Sequence, residues 1–146
     1  DRNAPVASAI GVAAAAPILD AFIDATLEAR GLPASALALV GFSQGTMMSL
    51  YTALRRPQPI AGIVGYSGAL LAADALEGDI VSRPHVCLIH GTSDEVVPFA
   101  AMEMAESVLE LHDVPVEAYA RPGLAHGIDE EGITIGMGFL LKRFGL

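Results

Sequence analysis

Short apolar runs alternate with longer amphipathic stretches along this chain. Four runs are continuous enough to predict buried strands, over residues 37–42, 60–66, 85–90 and 114–120. Periodic apolar positions predict helices over residues 6–30, 44–55, 99–112 and from 129 or 130 to 144, while residues 1–6 and 69–83 lack a regular period. Strands that are apolar on both faces and alternate with helices are typical of a parallel sheet covered on both sides. The pattern therefore predicts an α/β fold with about four parallel strands flanked by helices.

The first predicted helix has two faces of opposite character. Its apolar positions at helical spacing form a predicted packing face of Ile18, Leu19, Phe22, Ile23, Thr26 and Leu27. Its acidic positions, four residues apart, form a predicted solvated face of Asp20, Asp24 and Glu28. We expect this helix to pack on the sheet, with Pro17 as a kink or a restart.

The alanine-rich start of this helix, residues 4–19, also has features of a targeting or membrane segment. It is short for a membrane span and is interrupted by Pro5, Gly11 and Pro17. We therefore expect no stable membrane insertion.

Length, charge and cysteine content narrow the class of protein. The chain has 146 residues, which suits a single domain. Its formal net charge is −9, which argues against nucleic acid or an anionic membrane surface as a partner because both attract basic patches. The single cysteine, Cys87, excludes an internal disulfide and predicts a reducing, cytoplasmic location.

A Gly-x-Ser-x-Gly motif, Gly41 to Gly45, lies where the first predicted strand meets the next helix. This context predicts a nucleophile elbow that presents Ser43 on a strained turn. Gly41 and Gly45 would let the strand and the helix close tightly around it. The backbone N–H of Gln44, at the helix N-terminus, is then a candidate donor to a developing oxyanion.

Two further polar residues follow later strands in the order that elbow hydrolases use. Asp94 comes after the third strand and His126 after the fourth, so all three residues fall at the carboxyl ends of strands. Each signal alone has a structural alternative: a glycine-rich turn at Ser43, a helix cap at Asp94, and a loop histidine bonded to backbone at His126. Together they predict a Ser43–His126–Asp94 triad.

The other chemically active side chains have structural interpretations. Glu95 cannot point to the site if its neighbour Asp94 does, and His90 is predicted to support the Asp94 loop. Cys87 lies within a strand and is predicted to be a buried small hydrophobe, which argues against a cysteine nucleophile. We expect His85 and His112 to lie on the surface. No metal-ligand spacing such as His-x-x-x-His is present, so we expect neither a metal nor a cofactor.

Three stretches carry a family resemblance. They are Leu39-Val40-Gly41-Phe42-Ser43-Gln44-Gly45, His90-Gly91-Thr92-Ser93-Asp94-Glu95-Val96-Val97-Pro98 and Gly123-Leu124-Ala125-His126-Gly127-Ile128. They resemble the elbow, acid loop and histidine loop of the phospholipase/carboxylesterase family of α/β-hydrolases, which includes acyl-protein thioesterases. The resemblance implies an α/β-hydrolase fold in which Ser43 is the nucleophile, His126 the base and then the acid, and Asp94 the orienting residue. It also suggests a homodimer.

The chain departs from this family in two ways. Thr46 stands where the family usually has a second glycine. Strands that precede the elbow in the family, and a glycine-rich loop that supplies the second oxyanion donor, have no counterpart here. We therefore expect residues 1–146 to be a single, N-terminally incomplete α/β-hydrolase domain, with the second donor outside this sequence.

These observations predict a serine carboxylesterase that hydrolyses short- to medium-chain esters of small molecules through an acyl-enzyme on Ser43. The acyl length follows from the family resemblance and from the scarcity of aromatic residues. Met47 and Met48 are predicted to pack in the core, with contact to an acyl chain as the alternative. An acyl-protein thioesterase or lysophospholipase is the alternative of the same chemistry. A non-catalytic, hydrolase-like binding module is the alternative of another class.

Overall fold

Strands and helices alternate through the chain as the apolar pattern predicts. The computed structural model describes the backbone of residues 4–146 and side chains from residue 8 onward. The elements are α1 (Ala4–Arg30), β1 (Ala38–Phe42), α2 (Gln44–Leu54), β2 (Gly62–Tyr66), α3 (Leu76–Asp79), β3 (His85–Gly91), α4 (Ala100–Leu111), β4 (Val116–Arg121) and α5 (Glu130–Arg143). Short 3₁₀ turns lie at Ala34–Ala36 and Ala73–Ala75.

Two stretches predicted to be irregular contain helix. Residues 4–6 belong to α1, whereas residues 1–3 lie outside the described part of the chain. Residues 69–83 contain α3, whose buried Leu76 holds one helical turn against the core. The acidic residues around Leu76 interrupt the apolar period from which a helix is predicted.

The four strands form one parallel sheet in the order β1–β2–β3–β4. Val40 lies opposite Val64 in β2, and Val64 lies opposite Cys87 in β3, so equivalent apolar positions stack across the sheet. The inner strands β2 and β3 are buried almost throughout, whereas β1 and β4 are only partly covered. The predicted α/β fold with four parallel strands is therefore confirmed, and all carboxyl ends lie at one edge.

Each face of the sheet has its own core. One core joins α2 and α4 to the sheet through a set that includes Leu50, Leu54, Ile63, Leu88 and Leu109. The other lies under α5 and consists of Val64, Tyr66, Cys87, Ile89 and Phe139. Burial raises the pKa of the Cys87 thiol to about 12. The thiol therefore stays protonated at neutral pH, in keeping with its predicted role as a small core residue.

The α5 side of β1 is less well covered. Val40 is 60% exposed and Phe42 is 41% exposed. Among the described residues, β2 is the only strand that pairs with β1. Within the described residues, β1 therefore lies at the edge of the sheet.

The predicted packing face of α1 is wrong in part. Ile23 is buried, but Ile18 and Phe22 are 75% and 67% exposed, and the other buried positions among residues 8–30 are Val12 and Ala16. The cause is that α1 packs mainly on α2 instead of lying on the sheet. A helix packed on another helix needs a narrower buried stripe than one packed on a sheet.

The predicted solvated face of α1 also makes a tertiary contact. Asp20 and Asp24 form ion pairs at 2.8 and 3.0 Å with Arg56, whose side chain is only 5% exposed. Arg56 lies just after α2, so the two carboxylates fix the end of α2 against the middle of α1. Asp20 and Asp24 thus remain in contact with solvent, with 43% and 65% of their side chains exposed, while they hold the two helices together.

Helix α1 runs without a break through Pro17. Within the described residues, its Ser8–Arg30 part is long and apolar enough to cross a membrane, whereas the sequence suggested too short a segment. Core helices of globular proteins and signal sequences near an N-terminus share this length and composition.

Candidate active site

The turn between β1 and α2 holds Ser43 in an unusual conformation. Its φ is 55° and its ψ is −115°, a region that residues with a side chain rarely adopt. The Ser43 N–H donates to the Tyr66 carbonyl at the end of β2, with N···O 2.9 Å. The same carbonyl accepts the hydroxyl of Thr46 at 2.8 Å. These two bonds attach the turn to the neighbouring strand and offset a strain of about 1–3 kcal/mol.

Only one of the two motif glycines is required by close packing. A Cβ on Gly41 would lie within 2.6 Å of the backbone of Gly45 and Thr46, so the strand and the helix touch there. A Cβ on Gly45 would meet no described atom within 4 Å. The expectation that both glycines allow the strand and the helix to approach closely therefore holds for Gly41 and fails for Gly45, because no described atom lies close to the Cβ position of Gly45.

Thr46, which stands where the family usually has glycine, has a clear structural role. Its side chain is fully buried, and its methyl group fills the space above Gly65 and Gly68. A Cβ on either glycine would collide with it. Threonine at this position therefore requires small residues on β2 and just after it.

The carboxylate of Asp94 is buried in the loop after β3. Its side chain has no exposure, and its Oδ1 accepts the N–H groups of Val96 and Val97 at 2.8 and 2.9 Å. Its Oδ2 lies 2.7 Å from His126 Nδ1. Burial by itself raises the pKa of the Asp94 carboxyl, but the hydrogen bonds from His126, Val97 and Val96 outweigh it and lower that pKa below its ordinary value. Asp94 is therefore a carboxylate at neutral pH.

The loop that carries His126 is fastened to the acid loop. The N–H of Ser93 donates to the Leu124 carbonyl at 2.9 Å, and the N–H of Gly123 donates to the Thr92 hydroxyl at 2.8 Å. A Cβ on Gly91 would collide with the Leu124 carbonyl, so the two loops are in direct backbone contact. The positions of Asp94 and His126 are consequently fixed relative to each other.

Two further contacts hold the ends of the His126 loop. Arg121 at the end of β4 pairs with Asp129 at 3.0 Å, and Asp129 also caps α5 by accepting the Gly132 N–H at 2.8 Å. The hydroxyl of Ser67 donates to the Gly127 carbonyl at 3.2 Å. Ser67 is buried, with a φ of 52°. Its only signal in the sequence is a serine before a glycine at a strand end.

The three predicted residues form one chain of hydrogen bonds. His126 Nε2 lies 3.1 Å from Ser43 Oγ, and His126 Nδ1 lies 2.7 Å from Asp94 Oδ2. Because a carboxylate only accepts, Nδ1 carries the proton and Nε2 has a free lone pair for the serine hydroxyl. The Phe42 ring packs against the imidazole at a centroid distance of 4.9 Å. The arrangement can transfer a proton from Ser43 to His126 while Asp94 faces the resulting imidazolium.

Gln44 is the first residue of α2. Its backbone N–H belongs to the first helical turn, where no carbonyl of the same helix can accept it. The positive end of the helix dipole lies at the same place. This N–H is therefore available to a negatively charged oxygen beside Ser43.

The remaining chemically active residues take no part in this chain of hydrogen bonds. Glu95 is exposed, as is His85. His90 is buried and contacts the acid loop. Across the part of the chain that the structure describes, no group of three or more His, Cys, Asp or Glu residues could hold a metal ion.

An apolar cleft of about 660 Å³ is lined by Met47, one helical turn after Ser43, and by Val96 and Val97, whose N–H groups hold Asp94. Its walls come from the first turns of α2, the loop after β2, the acid loop and α4, and the start of α1; they include Met47, Leu71, Val96, Pro98, Met104 and Ile10. Met47 and Met48 are only half-buried, and Met47 faces the cleft, so the predicted core role is wrong for this residue. The core positions of α2 are instead held by Leu50, Ala53 and Leu54.

Comparison with known proteins gives a consistent result. A model of the Phospholipase/Carboxylesterase family matches residues 1–143. The chain is 32% identical over 126 residues to acyl-protein thioesterase 1 of Schizosaccharomyces pombe, covering 83% of this chain and 55% of that protein. It is 32% identical over 123 residues to acyl-protein thioesterase 1 of Aspergillus fumigatus, covering 77% of this chain and 49% of that protein. The chain thus spans about half the length of these curated relatives.

Solved structures agree with the sequence relatives. The fold matches the crystal structure of esterase PE8 with a TM-score of 0.93 and 38% identity, over 95% of this chain and 65% of that one. It matches Arabidopsis thaliana SOBER1 with a TM-score of 0.84 and 26% identity, over 91% of this chain and 64% of that one.

Proposed function

The chain belongs to the phospholipase/carboxylesterase family of α/β-hydrolases, and we propose that it is a serine carboxylesterase acting through an acyl-enzyme on Ser43. The observation that carries the proposal is the hydrogen-bonded chain from Ser43 through His126 to Asp94, with distances of 3.1 and 2.7 Å. Three residues from three separate strand ends have no structural need to meet in this order. The nucleophile, base and orienting residue of a serine hydrolase require it.

In the first half of the reaction, Ser43 Oγ attacks the carbonyl carbon of an ester while His126 Nε2 takes the hydroxyl proton. The alcohol leaves with that proton, and the acyl group remains on Ser43. In the second half, His126 removes a proton from water as the water oxygen attacks the acyl carbon, and it then returns that proton to Ser43 Oγ as the acyl–oxygen bond breaks and the carboxylic acid is released. Asp94 keeps the imidazole in the required tautomer and stabilises its charged form in both halves.

The oxyanion formed in each half needs preorganised donors. We assign one donor to the Gln44 N–H at the start of α2. The family resemblance implies a second backbone donor from a glycine-rich loop, and we place it outside this sequence. This assignment accords with a chain that spans about half the length of its curated relatives.

The apolar cleft beside Met47 is the proposed site of the acyl chain. Its walls are largely aliphatic side chains, which favour a flexible hydrocarbon over a charged or aromatic group. Its volume is within the usual range for small-ligand sites. We therefore propose short- to medium-chain esters as substrates.

An acyl-protein thioesterase has equal support from the comparisons, because two of the relatives described above carry that name. The proposed chemistry differs only in the leaving group, a thiol instead of an alcohol. Hydrolysis rates on matched pairs of oxygen and thioesters with the same acyl chain separate the two activities. Preference for the oxygen ester supports the carboxylesterase, and preference for the thioester supports the alternative.

The substitution Ser43→Ala is expected to lower turnover of a nitrophenyl ester by about 10⁶-fold, as loss of a triad nucleophile does. A fluorophosphonate probe should label the wild type at Ser43 and leave the variant unlabelled. Ser35→Ala, at an exposed serine before β1, is the matched control and should keep both properties.

Unchanged turnover in Ser43→Ala would overturn the assignment of the nucleophile. Absence of labelling and of turnover in the full-length wild type would favour a non-catalytic, hydrolase-like module. The cytoplasmic location, the small-molecule substrate and the homodimer stay predictions.

A further inference from the structure

His90 has a position that the reaction described so far does not use. It is the penultimate residue of β3, and its side chain is only 1% exposed. The Phe99 ring packs against it edge-on, at a centroid distance of 6.1 Å. An imidazole held this deeply has to satisfy its polar atoms inside the protein.

The proton on His90 can be placed from its partner. His90 Nε2 lies 2.8 Å from the carbonyl oxygen of Val97. A carbonyl only accepts hydrogen bonds, so Nε2 carries a proton and donates it. The same Nε2 lies 3.4 Å from Asp94 Oδ2. The N–H group is therefore donated to the Val97 carbonyl, and its partial positive charge lies close to the carboxylate.

The oxygen that His90 approaches is the one that His126 uses. Asp94 Oδ1 is already held by two backbone N–H groups, and Oδ2 accepts from His126 Nδ1 at 2.7 Å. With His90 Nε2 at 3.4 Å from the same oxygen, a rotation of the carboxylate would change contacts at both oxygens. Val97 contacts both residues: its N–H donates to Asp94 Oδ1, and its carbonyl accepts from His90 Nε2.

We propose that His90 is a positioning residue for the hydrolytic reaction: its Nε2–H fixes the Asp94 carboxylate in the orientation in which Oδ2 accepts from His126. This inference rests on the proposed function, since it assigns His90 a role in that reaction. A purely structural histidine would need only the Val97 carbonyl as a partner. Structural support alone would not require His90 Nε2 to lie near Asp94 Oδ2.

The test compares two replacements of similar size in the full-length protein. His90→Gln can place an amide N–H near the position of Nε2, whereas His90→Met fills the space without a donor. We expect His90→Met to lower kcat by about 10- to 100-fold with little change in KM, because a small displacement of a catalytic group costs that much. His90→Gln should recover most of kcat.

A second measurement needs no substrate. The proton between His126 Nδ1 and Asp94 gives a far-downfield proton NMR resonance in the resting protein, which His126→Gln identifies by removing it. We expect the resonance to persist in His90→Gln and to shift upfield or vanish in His90→Met. If His90→Met does not fold, His90→Asn replaces it, because the shorter amide ends near Nδ1 and cannot reach Asp94.

Each outcome decides the inference. Unchanged kcat and an unchanged resonance in a folded His90→Met variant would overturn it, as would equal losses in the Gln and Met variants. Thermal stability that falls while both readouts stay at wild-type values would assign His90 to structure alone. If the wild type lacks esterase and thioesterase activity, the proposed function fails, but the resonance still reports whether His90 positions Asp94.

Discussion

At the scale of single residues, the site depends on two serines with positive φ at neighbouring strand ends. Ser43 follows β1 and Ser67 follows β2, with φ values of 55° and 52°. Ser43 Oγ faces the His126 ring, and Ser67 Oγ holds the carbonyl of the next residue in the loop, Gly127. Positive φ costs each serine free energy, and the turn at each strand end directs the hydroxyl toward the same loop. The position of His126 is thus set both by the strained turns that carry Ser43 and Ser67 and by the contact with Asp94.

Close backbone contact at Gly91 leads to a prediction at this scale. In Gly91→Ala the new Cβ would collide with the carbonyls of Leu124 and Ala125, so the His126 loop must move. We expect kcat on an ester to fall about 100-fold and the free energy of unfolding to fall by about 1–3 kcal/mol, the usual cost of overpacking.

The matched control is Gly127→Ala in the same loop, where a Cβ meets no described atom within 4 Å. Its unfolding free energy should stay within about 0.5 kcal/mol of the wild type. Kinetics and urea denaturation of both variants check the prediction. Equal effects at the two positions would show that loop entropy, and not backbone contact, is responsible.

At the scale of elements, the contact between α1 and α2 depends on a buried cation. The Arg56 guanidinium is 5% exposed, while its partners Asp20 and Asp24 are 43% and 65% exposed at their side chains. Burial acts to lower the pKa of Arg56, but the hydrogen bonds and charges of Asp24 and Asp20 outweigh it and raise that pKa. The burial of the three charges is asymmetric, since the Arg56 cation is out of water and the two carboxylates are not.

This asymmetry predicts that losing the acids costs more than losing the base. Asp20→Asn with Asp24→Asn leaves a buried charge uncompensated and should lower the free energy of unfolding by about 1–2 kcal/mol, less than for fully buried pairs because the carboxylates are screened by solvent. Arg56→Met leaves two exposed carboxylates and fills the site, so it should cost less. Urea unfolding of both variants checks the order, and a larger loss in Arg56→Met would contradict it.

At the scale of the whole molecule, two carboxylates make the fold sensitive to acid. Burial tends to raise the pKa of Asp94 and of Asp129, but hydrogen bonds lower both below the ordinary value of 3.8. The donors are His126, Val97 and Val96 for Asp94. For Asp129 they are Gly132 and Arg121. A lowered folded pKa contributes stability that is fully present above the unfolded pKa and is lost as pH falls through the folded pKa.

We therefore expect the melting temperature to decline as pH falls below about 4, and to decline less steeply in Asp94→Asn and in Asp129→Asn. The variants start from lower stability at neutral pH, so their curves should approach that of the wild type in acid. Glu103→Gln, on the exposed side of α4, is a control with the same charge change and should run parallel to the wild type. Thermal denaturation between pH 2 and pH 7 checks the prediction. A melting temperature that falls as steeply with decreasing pH in both Asp variants as in the wild type would contradict it.

Local sequence was sufficient for the types and order of the four strands and the four longer helices, α1, α2, α4 and α5. A buried parallel strand needs a continuous apolar run, and an amphipathic helix needs a period near 3.6, so both leave a direct record in neighbouring residues. The residues after each strand could also be identified as site candidates, because parallel strands end at one edge of a sheet. This is why Ser43, Asp94 and His126 could be proposed together without coordinates.

Contacts between distant residues were decided by the tertiary structure. The buried stripe of α1, the role of Asp20 and Asp24, and the contact from Ser67 to Gly127 depend on which element lies alongside, and no local period records that. The approach of His90 to Asp94 Oδ2 depends on the path of the loop between them. The sequence thus determined which groups are present and at which edge they lie, and packing determined the few ångströms between them, because hydrogen bonds and close contacts act only at short range.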